Sequence, residues 1–272
     1  MSEKRTGAGS SPAPRSWALV LGASSGFGEA AALAFARAGR NVFGVHLDRR
    51  ITLPNVTRIR SEIEAQGARA VFFNVNAADA GARAEVLAEM SNVLAGERLD
   101  VLVHSLAFGA LKPFLGEDAK GSLSKAQLEM TLDVMANSLV YWTQDAVWAG
   151  LLFEGAHVFA MTSSGSHRIW KSYGAVSAAK SALESHCRQL AVELAPRKIA
   201  VNAIQAGVTD TPALRKIPGN EQMIERALAM HPAQRLTTPE DVARVLVALA
   251  RPETTWMTGN VLRVDGTEDL VG

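Results

Sequence analysis

The chain is poor in cysteine, balanced in charge and without long apolar runs, and each shortage removes a class of function. Its one cysteine, Cys187, excludes an internal disulfide and any cysteine-rich metal site, and no metal-ligand set is expected. A formal net charge of +1 and the lack of a basic stripe give no footprint for nucleic acid. No uninterrupted apolar stretch reaches the roughly 18 residues that cross a bilayer, so no membrane span is expected. The first residues, MSEKRTGAGSSPAPRS, lack the apolar centre of a signal peptide. These features together predict a reducing, cytoplasmic setting.

What is present is a large globular sequence. The 272 residues are 48% hydrophobic and 20% charged, enough to bury a substantial core. Residues 1–16, rich in Ser, Gly, Pro and charge, are read as a flexible tail, and 17–272 as a single domain without solenoid-type repeats. Strand-like runs fall at 17–21, 41–47, 70–75, 101–104, 157–162, 200–206 and 260–264. Helical patterns at 29–38, 59–66, 82–94, 124–151, 175–194, 220–230 and 239–249 separate them. Alternation of this kind predicts an α/β fold, a Rossmann-type doubly wound parallel sheet of about seven strands flanked by helices. Ligands of such sheets bind beyond the carboxyl ends of the strands.

Two local patterns carry chemistry. Gly22-Ala-Ser24-Ser25-Gly26-Phe27-Gly28 follows the first strand and opens the first helix. Glycines there permit a tight turn and close backbone approach to a pyrophosphate, which the helix N-terminus attracts. The spacing differs from G-x-G-x-x-G. Further on, Tyr173 stands seven residues before Lys180. At 100° per residue this returns the lysine to within roughly 20° of the tyrosine, about 10 Å along the helix. A helix that merely begins with an aromatic residue and carries an exposed lysine is the alternative.

From about Trp17 to Gly272 the chain resembles the short-chain dehydrogenase/reductase family. The segments that carry the likeness are the glycine loop, Leu99-Asp-Val-Leu-Val103, Ser163 with the Tyr173/Lys180 helix, Val201-Asn-Ala-Ile-Gln-Ala-Gly207 with Thr209, and Gly259 to Gly266. Three departures from the common pattern agree with one another. The common tyrosine, four before the lysine, is replaced by Val176; the usual Asn-Asn-Ala-Gly reads His104-Ser105-Leu106-Ala107; and the usual asparagine of the next helix falls near Met135. All three look like the enoyl-acyl-carrier-protein reductases, and 181–236 is most similar to their NADPH-using type III group.

The resemblance implies reduction of the 2,3 double bond of an enoyl thioester in fatty-acid synthesis. Tyr173 would donate to the thioester oxygen, Lys180 would hold the nicotinamide ribose and lower the phenol's pKa, and Ser163 would stand in the catalytic serine's place or merely end a strand. The implied cofactor set is Gly22, Ser24, Ser25, Gly26, Phe27, Gly28, Asn74, Ser105, Lys180, Gly207, Val208 and Thr209, with Arg49 and Arg50 favouring NADPH over NADH and Asp48 opposing them. His104 is read as a structural histidine. Residues 208–236 would form a substrate lid whose Leu214, Ile217, Met223, Ile224, Leu228 and Met230 line an acyl channel or pack a core. Arg215 and Lys216 would meet an acidic acyl-carrier protein or its phosphopantetheine phosphate, or simply face solvent. A homotetramer packed through the helix bearing Ala178, Ala179, Ser181 and Ala182 is expected. A carbonyl reductase with a displaced tyrosine and a non-catalytic nucleotide sensor are the rival readings.

Overall fold

The computed structural model describes residues 16–271. Most of the expected tail lies outside them, but Ser16 belongs to the fold: its carbonyl accepts from the Asn41 amide at 2.9 Å, and its hydroxyl donates to Asp100 at 2.9 Å. The chain order is β1 (Trp17–Leu21), α1 (Gly26–Arg37), β2 (Asn41–His46), α2 (Leu53–Ala65), β3 (Ala70–Asn74), α3 (Ala80–Leu94) and β4 (Leu99–His104). It continues with α4 (Lys125–Leu132), α5 (Ser138–Trp148), β5 (Leu152–Ser163), α6 (Gly174–Leu194), β6 (Ala200–Ala206), α7 (Asn220–Met230), α8 (Pro239–Leu249), β7 (Val261–Val264) and α9 (Glu268–Val271).

The strands form one parallel seven-stranded sheet, ordered β3-β2-β1-β4-β5-β6-β7. Both faces are covered, as the period of two in β1 requires. Trp17, Leu19 and Leu21 point to one core layer with Met90, Trp142 and Leu183. Ala18 and Val20 point to the other, with Phe35, Ile59 and Leu246. The order reverses between β1 and β4, which opens a crevice at their carboxyl ends. Among the described residues no helix is long and apolar enough to cross a membrane.

Several elements differ from the expected ones, three of them for identifiable reasons. Helix α2 begins at Leu53, not Ile59, because Pro54 sits in its first turn, where a missing N–H costs no bond. The helix expected over 124–151 starts with a Ser124/Gln127 capping box but is divided by a π-helical turn, Asp133–Asn137. Strand β5 begins earlier than expected, at Leu152, which pairs with Leu99 before a bulge resets the register to Val101 with His157.

Candidate active site

The glycine loop is built by backbone contacts that leave no space for side chains. Gly22 has φ +88°, and a Cβ on it would lie 2.4 Å from the Ser105 carbonyl oxygen. A Cβ on Gly28 would lie 2.0 Å from the Gly22 carbonyl oxygen. The Gly22 and Ala23 amides donate to Val45 O at 2.8 and 3.1 Å, tying the loop to β2. Ser25 enters α1 with an extended backbone and no side-chain cap, so its side chain satisfies none of the first amides of the helix. A glycine loop packed this closely by backbone at the start of a helix fits the pyrophosphate of a dinucleotide.

Beside it, the turn after β2 is held by Asn74, whose side chain accepts from the Asp48 amide at 2.9 Å and donates to Asp48 O at 3.0 Å. His46 Nδ1 lies 3.0 Å from the Asp48 carboxylate. Burial works to raise the Asp48 pKa, but hydrogen bonds from Thr52, Ser24 and His46 prevail and hold it below the usual carboxylate range. Arg49 and Arg50 are exposed, with no ion-pair partner among the described residues.

A cavity of about 750 Å³ opens at the carboxyl ends of β4, β5 and β6. Of the residues selected from sequence, Phe27, Ser105, Ser163, Tyr173, Lys180, Gly207, Val208 and Thr209 line it. Gly22, Ser24, Ser25, Gly26, Gly28, Arg49, Arg50 and Asn74 lie outside that lining. Ser163 ends β5, and its buried hydroxyl has no hydrogen-bond partner among the described residues. Tyr173 heads α6, its carbonyl accepting from the Ser177 amide at 2.8 Å, and the preceding Ser172 has φ +62°. The two side chains meet across Gly165, where a Cβ would lie 2.6 Å from Tyr173 Cε1 and 3.1 Å from Ser163 Oγ.

Burial raises the Tyr173 pKa above its ordinary 10.0, and the neighbouring Ser163 hydroxyl opposes this only in part. The expected lowering by Lys180 is therefore corrected. The lysine is itself buried and donates from Nζ to Met161 O at 2.7 Å. Burial lowers its pKa to about 8, with Glu184 pulling the other way. At neutral pH the phenol is a proton donor and the lysine a cation.

The departures from the common pattern meet beside the tyrosine, where Val176 stands one turn along α6 from Tyr173 and one turn before Lys180. A Cβ on Gly109, in the stretch that follows His104-Ser-Leu, would lie 2.8 Å from Met135 Sδ and 2.9 Å from Val176 Cγ2. All three residues line the cavity. Met135 lies in the π-helical turn. Asn137, two residues on, is not in the lining and bonds His186 Nε2 at 3.1 Å. His104 is buried; its Nε2 lies 2.8 Å from Ser138 Oγ, which donates to Val134 O at 2.8 Å. Burial, and secondarily Lys180, lowers the His104 pKa to about 3, so the ring is neutral. It lies outside the lining, in keeping with the structural role.

Of the six apolar lid residues, Leu214, Ile217, Met223 and Met230 line the cavity, whereas Ile224 and Leu228 do not. Arg215 is tied to Asp210 through two bonds of 2.7 and 2.9 Å, which leaves Lys216 as the cavity-lining cation of the expected pair. Sequence reasoning missed Glu268, which reaches the cavity from the C-terminal turn, and Arg168, held by Asp269 at 2.6 Å. The only local signal for either was a charged residue near a recognised motif.

A Rossmann sheet with a glycine cradle, and a cavity carrying a serine, a tyrosine and a lysine beside it, define an oxidoreductase of the short-chain dehydrogenase/reductase type. Residues 22–266 match the family model described as enoyl-(acyl carrier protein) reductase, and the chain belongs to that family. An enoyl-[acyl-carrier-protein] reductase [NADH] of Nostoc sp. is 33% identical over 175 residues, 64% of this chain and 66% of that protein, just under two thirds of its length. A 3-oxoacyl-[acyl-carrier-protein] reductase of Thermotoga maritima is 28% identical over 250 residues, 91% of this chain and 95% of that one. The crystal structure of an enoyl-[acyl-carrier-protein] reductase (NADH) from Aquifex aeolicus superposes with a TM-score of 0.81 at 23% identity, covering 94% of this chain and 97% of that one, and so shares the fold.

Proposed function

We propose that the protein reduces the 2,3 double bond of an enoyl thioester with a nicotinamide dinucleotide. The observation that supports this most is the apolar contact of Gly109, Met135 and Val176, in which Val176 takes the position, four before Lys180, where the resemblance places a carbonyl reductase's proton donor. In carbonyl reduction the donor must reach the oxygen on the carbon that receives hydride. In enoyl reduction charge develops on the thioester oxygen, two carbons from the hydride acceptor, and a displaced donor suits it.

Bound at the glycine cradle, the dinucleotide supplies the hydride. Tyr173, kept protonated by burial, donates a hydrogen bond from Oη to the thioester oxygen. Lys180 holds the nicotinamide ribose and favours the developing enolate by its charge, while Ser163 offers its unpartnered hydroxyl beside the phenol. Leu214, Ile217, Met223 and Met230 exclude water around the acyl chain.

The corner after β2 supports NADH over the NADPH expected from Arg49 and Arg50. A carboxylate held ionised there suits ribose hydroxyls and repels a 2'-phosphate. The ratio of kcat/KM for the two cofactors tests this; Asp48→Ala moves it toward NADPH, and a wild type that prefers NADPH refutes it. The carrier reading rests on Lys216 at the cavity, which fits an acidic carrier protein or its phosphopantetheine phosphate. The assembly reading is a homotetramer through α6, and sedimentation of a monomer alone refutes it.

Oxidation of reduced dinucleotide with crotonyl or longer 2-enoyl thioesters, and hardly any with acetoacetyl thioester, is the expected result of the main experiment. The reverse preference overturns the proposal.

A further inference from the structure

The lysine of the cavity is held against β5 beside a carboxylate that the proposed mechanism does not use. Lys180 and Glu184 stand one turn apart on α6, close enough for their charges to interact. Each takes a hydrogen bond to β5 rather than to the other. Lys180 Nζ donates to Met161 O at 2.7 Å, and Glu184 Oε1 accepts from the hydroxyl of the next residue, Thr162, at 2.6 Å. Both Lys180 and Thr162 are buried. An ammonium has three donor hydrogens, so with one on Met161 O two remain for a ligand, and a direct pair with Glu184 would take one of those.

Burial by itself favours the neutral form of a lysine, and a nearby negative charge is needed to oppose it. The groups around Lys180 leave that task to Glu184. On α6, burial pushes the Cys187 thiol up to about 12, keeps Tyr173 protonated and lowers the pKa of His186. From β4, His104 is neutral, and the influence of Lys180 on it puts the two within one another's field. The π-helical turn packed on α6 carries Asp133, which accepts from Tyr141 Oη at 3.0 Å. Of the charged groups that line the cavity with Lys180, Glu268 accepts from the Val208 amide at 2.9 Å, Arg168 is held by Asp269, and Lys216 and Arg226 are cations. Burial lowers the Lys180 pKa to about 8, and the field of Glu184 is the largest effect in the other direction.

We propose that Glu184, clamped by Thr162, is a positioning residue that keeps Lys180 charged at neutral pH while leaving its remaining hydrogens free for the nicotinamide ribose. The clamp separates two jobs that a direct ion pair would merge. Thr162 draws the carboxylate onto β5 and Met161 O draws the ammonium there, so Glu184 acts through its field and not by occupying the donors. Glu184 touches neither substrate nor cofactor; its effect passes through Lys180. The inference rests on the proposed role of Lys180 in holding the dinucleotide and not on the identity of the acyl substrate.

NMR of the full chain, labelled with carbon-13 at the lysine ε carbons, provides the test, the Lys180 signal being assigned by its loss in Lys180→Met. In wild-type protein that signal should titrate near pH 8. Glu184→Gln keeps an acceptor for Thr162 and removes only the charge, so the midpoint should fall by about one pH unit. Glu184→Asp keeps the charge and should return the midpoint to within about half a pH unit of wild type. Equilibrium binding of the preferred reduced dinucleotide, NADH or NADPH, supplies a second readout. Glu184→Gln should weaken it by about fivefold at pH 8 and hardly at all at pH 6, where the lysine is charged in both proteins. An unmoved midpoint in Glu184→Gln, an equal fall in Glu184→Asp, or a loss of binding that is the same at both pH values would overturn the inference and leave Glu184 a packing partner of Thr162. If the midpoints and binding shift as stated but no enoyl thioester is reduced, the proposed function fails and this inference stands.

Discussion

Two groups of residues lining the cavity, which share one face of α6 through Tyr173, Val176 and Lys180, solve opposite problems. One presents Ser163, Tyr173 and Lys180, polar groups withdrawn from water, of which the serine hydroxyl has no partner among the described residues. The other presents Gly109, Met135 and Val176, packed so closely that a single added carbon would collide with both side chains. Polar groups held unsatisfied or desolvated destabilise a fold and are retained where chemistry uses them. A close-packed apolar wall stabilises the fold and does its chemical work by offering no competing donor. Under the proposed function, selectivity is set as much by where hydrogen bonds are impossible as by where they are offered.

The comparison breaks most sharply at Tyr173. Removing its hydroxyl in Tyr173→Phe should lower kcat by about 10²–10³-fold while the dinucleotide dissociation constant changes by no more than about twofold. Steady-state kinetics beside equilibrium binding checks this, and parallel losses in both would show a packing role instead.

Next comes the cost of Lys180. Its pKa falls from 10.5 to about 8 on folding, so below pH 8 the buried ammonium lowers stability by roughly 3 kcal/mol. Between about pH 8 and 10.5 the unfolded chain binds more protons at this site than the folded one, so this contribution to stability rises with pH. Lys180→Met should therefore be more stable than wild type at pH 7, by an amount that shrinks toward pH 10. Urea unfolding of both proteins across that range measures the difference and cancels other titrating groups. The proposed mechanism requires the charged form, so kcat/KM should decline above about pH 8.

On the apolar wall, Gly109→Ala should destabilise by about 1–3 kcal/mol through overpacking against Met135 and Val176. Adding Met135→Ala should restore part of the loss, and a double-mutant cycle by thermal unfolding reads the coupling. The smallest effect sharpens the comparison. Met135→Asn with Val176→Tyr places polar groups on the apolar wall and should shift the ratio of enoyl to ketone reduction toward the ketone by about tenfold, as judged by kcat/KM on the two thioesters.

Much of this was legible along the chain, for identifiable reasons. The fully buried strands are short apolar runs, and the turn between β1 and α1 needs glycine at Gly22 and Gly28 because backbone occupies the space a Cβ would take. Tyr173, Lys180 and Ser163 were visible as residue types at telling spacings. The division of the helix at 133–137 was not legible, since no proline or glycine marks the wide turn there. Nor was the raised pKa of Tyr173, because the burial that raises it comes from packing around the phenol and not from its neighbours in sequence.

The sequence by itself determined the alternation of strand and helix, the glycine cradle and the three departures at His104-Ser105-Leu106, Met135 and Val176, because each is a local pattern of residue types. Only the tertiary structure decided that Gly109, Met135 and Val176 form one wall and that Glu268 meets Val208, since such contacts join residues dozens of positions apart through the crossovers of a parallel sheet.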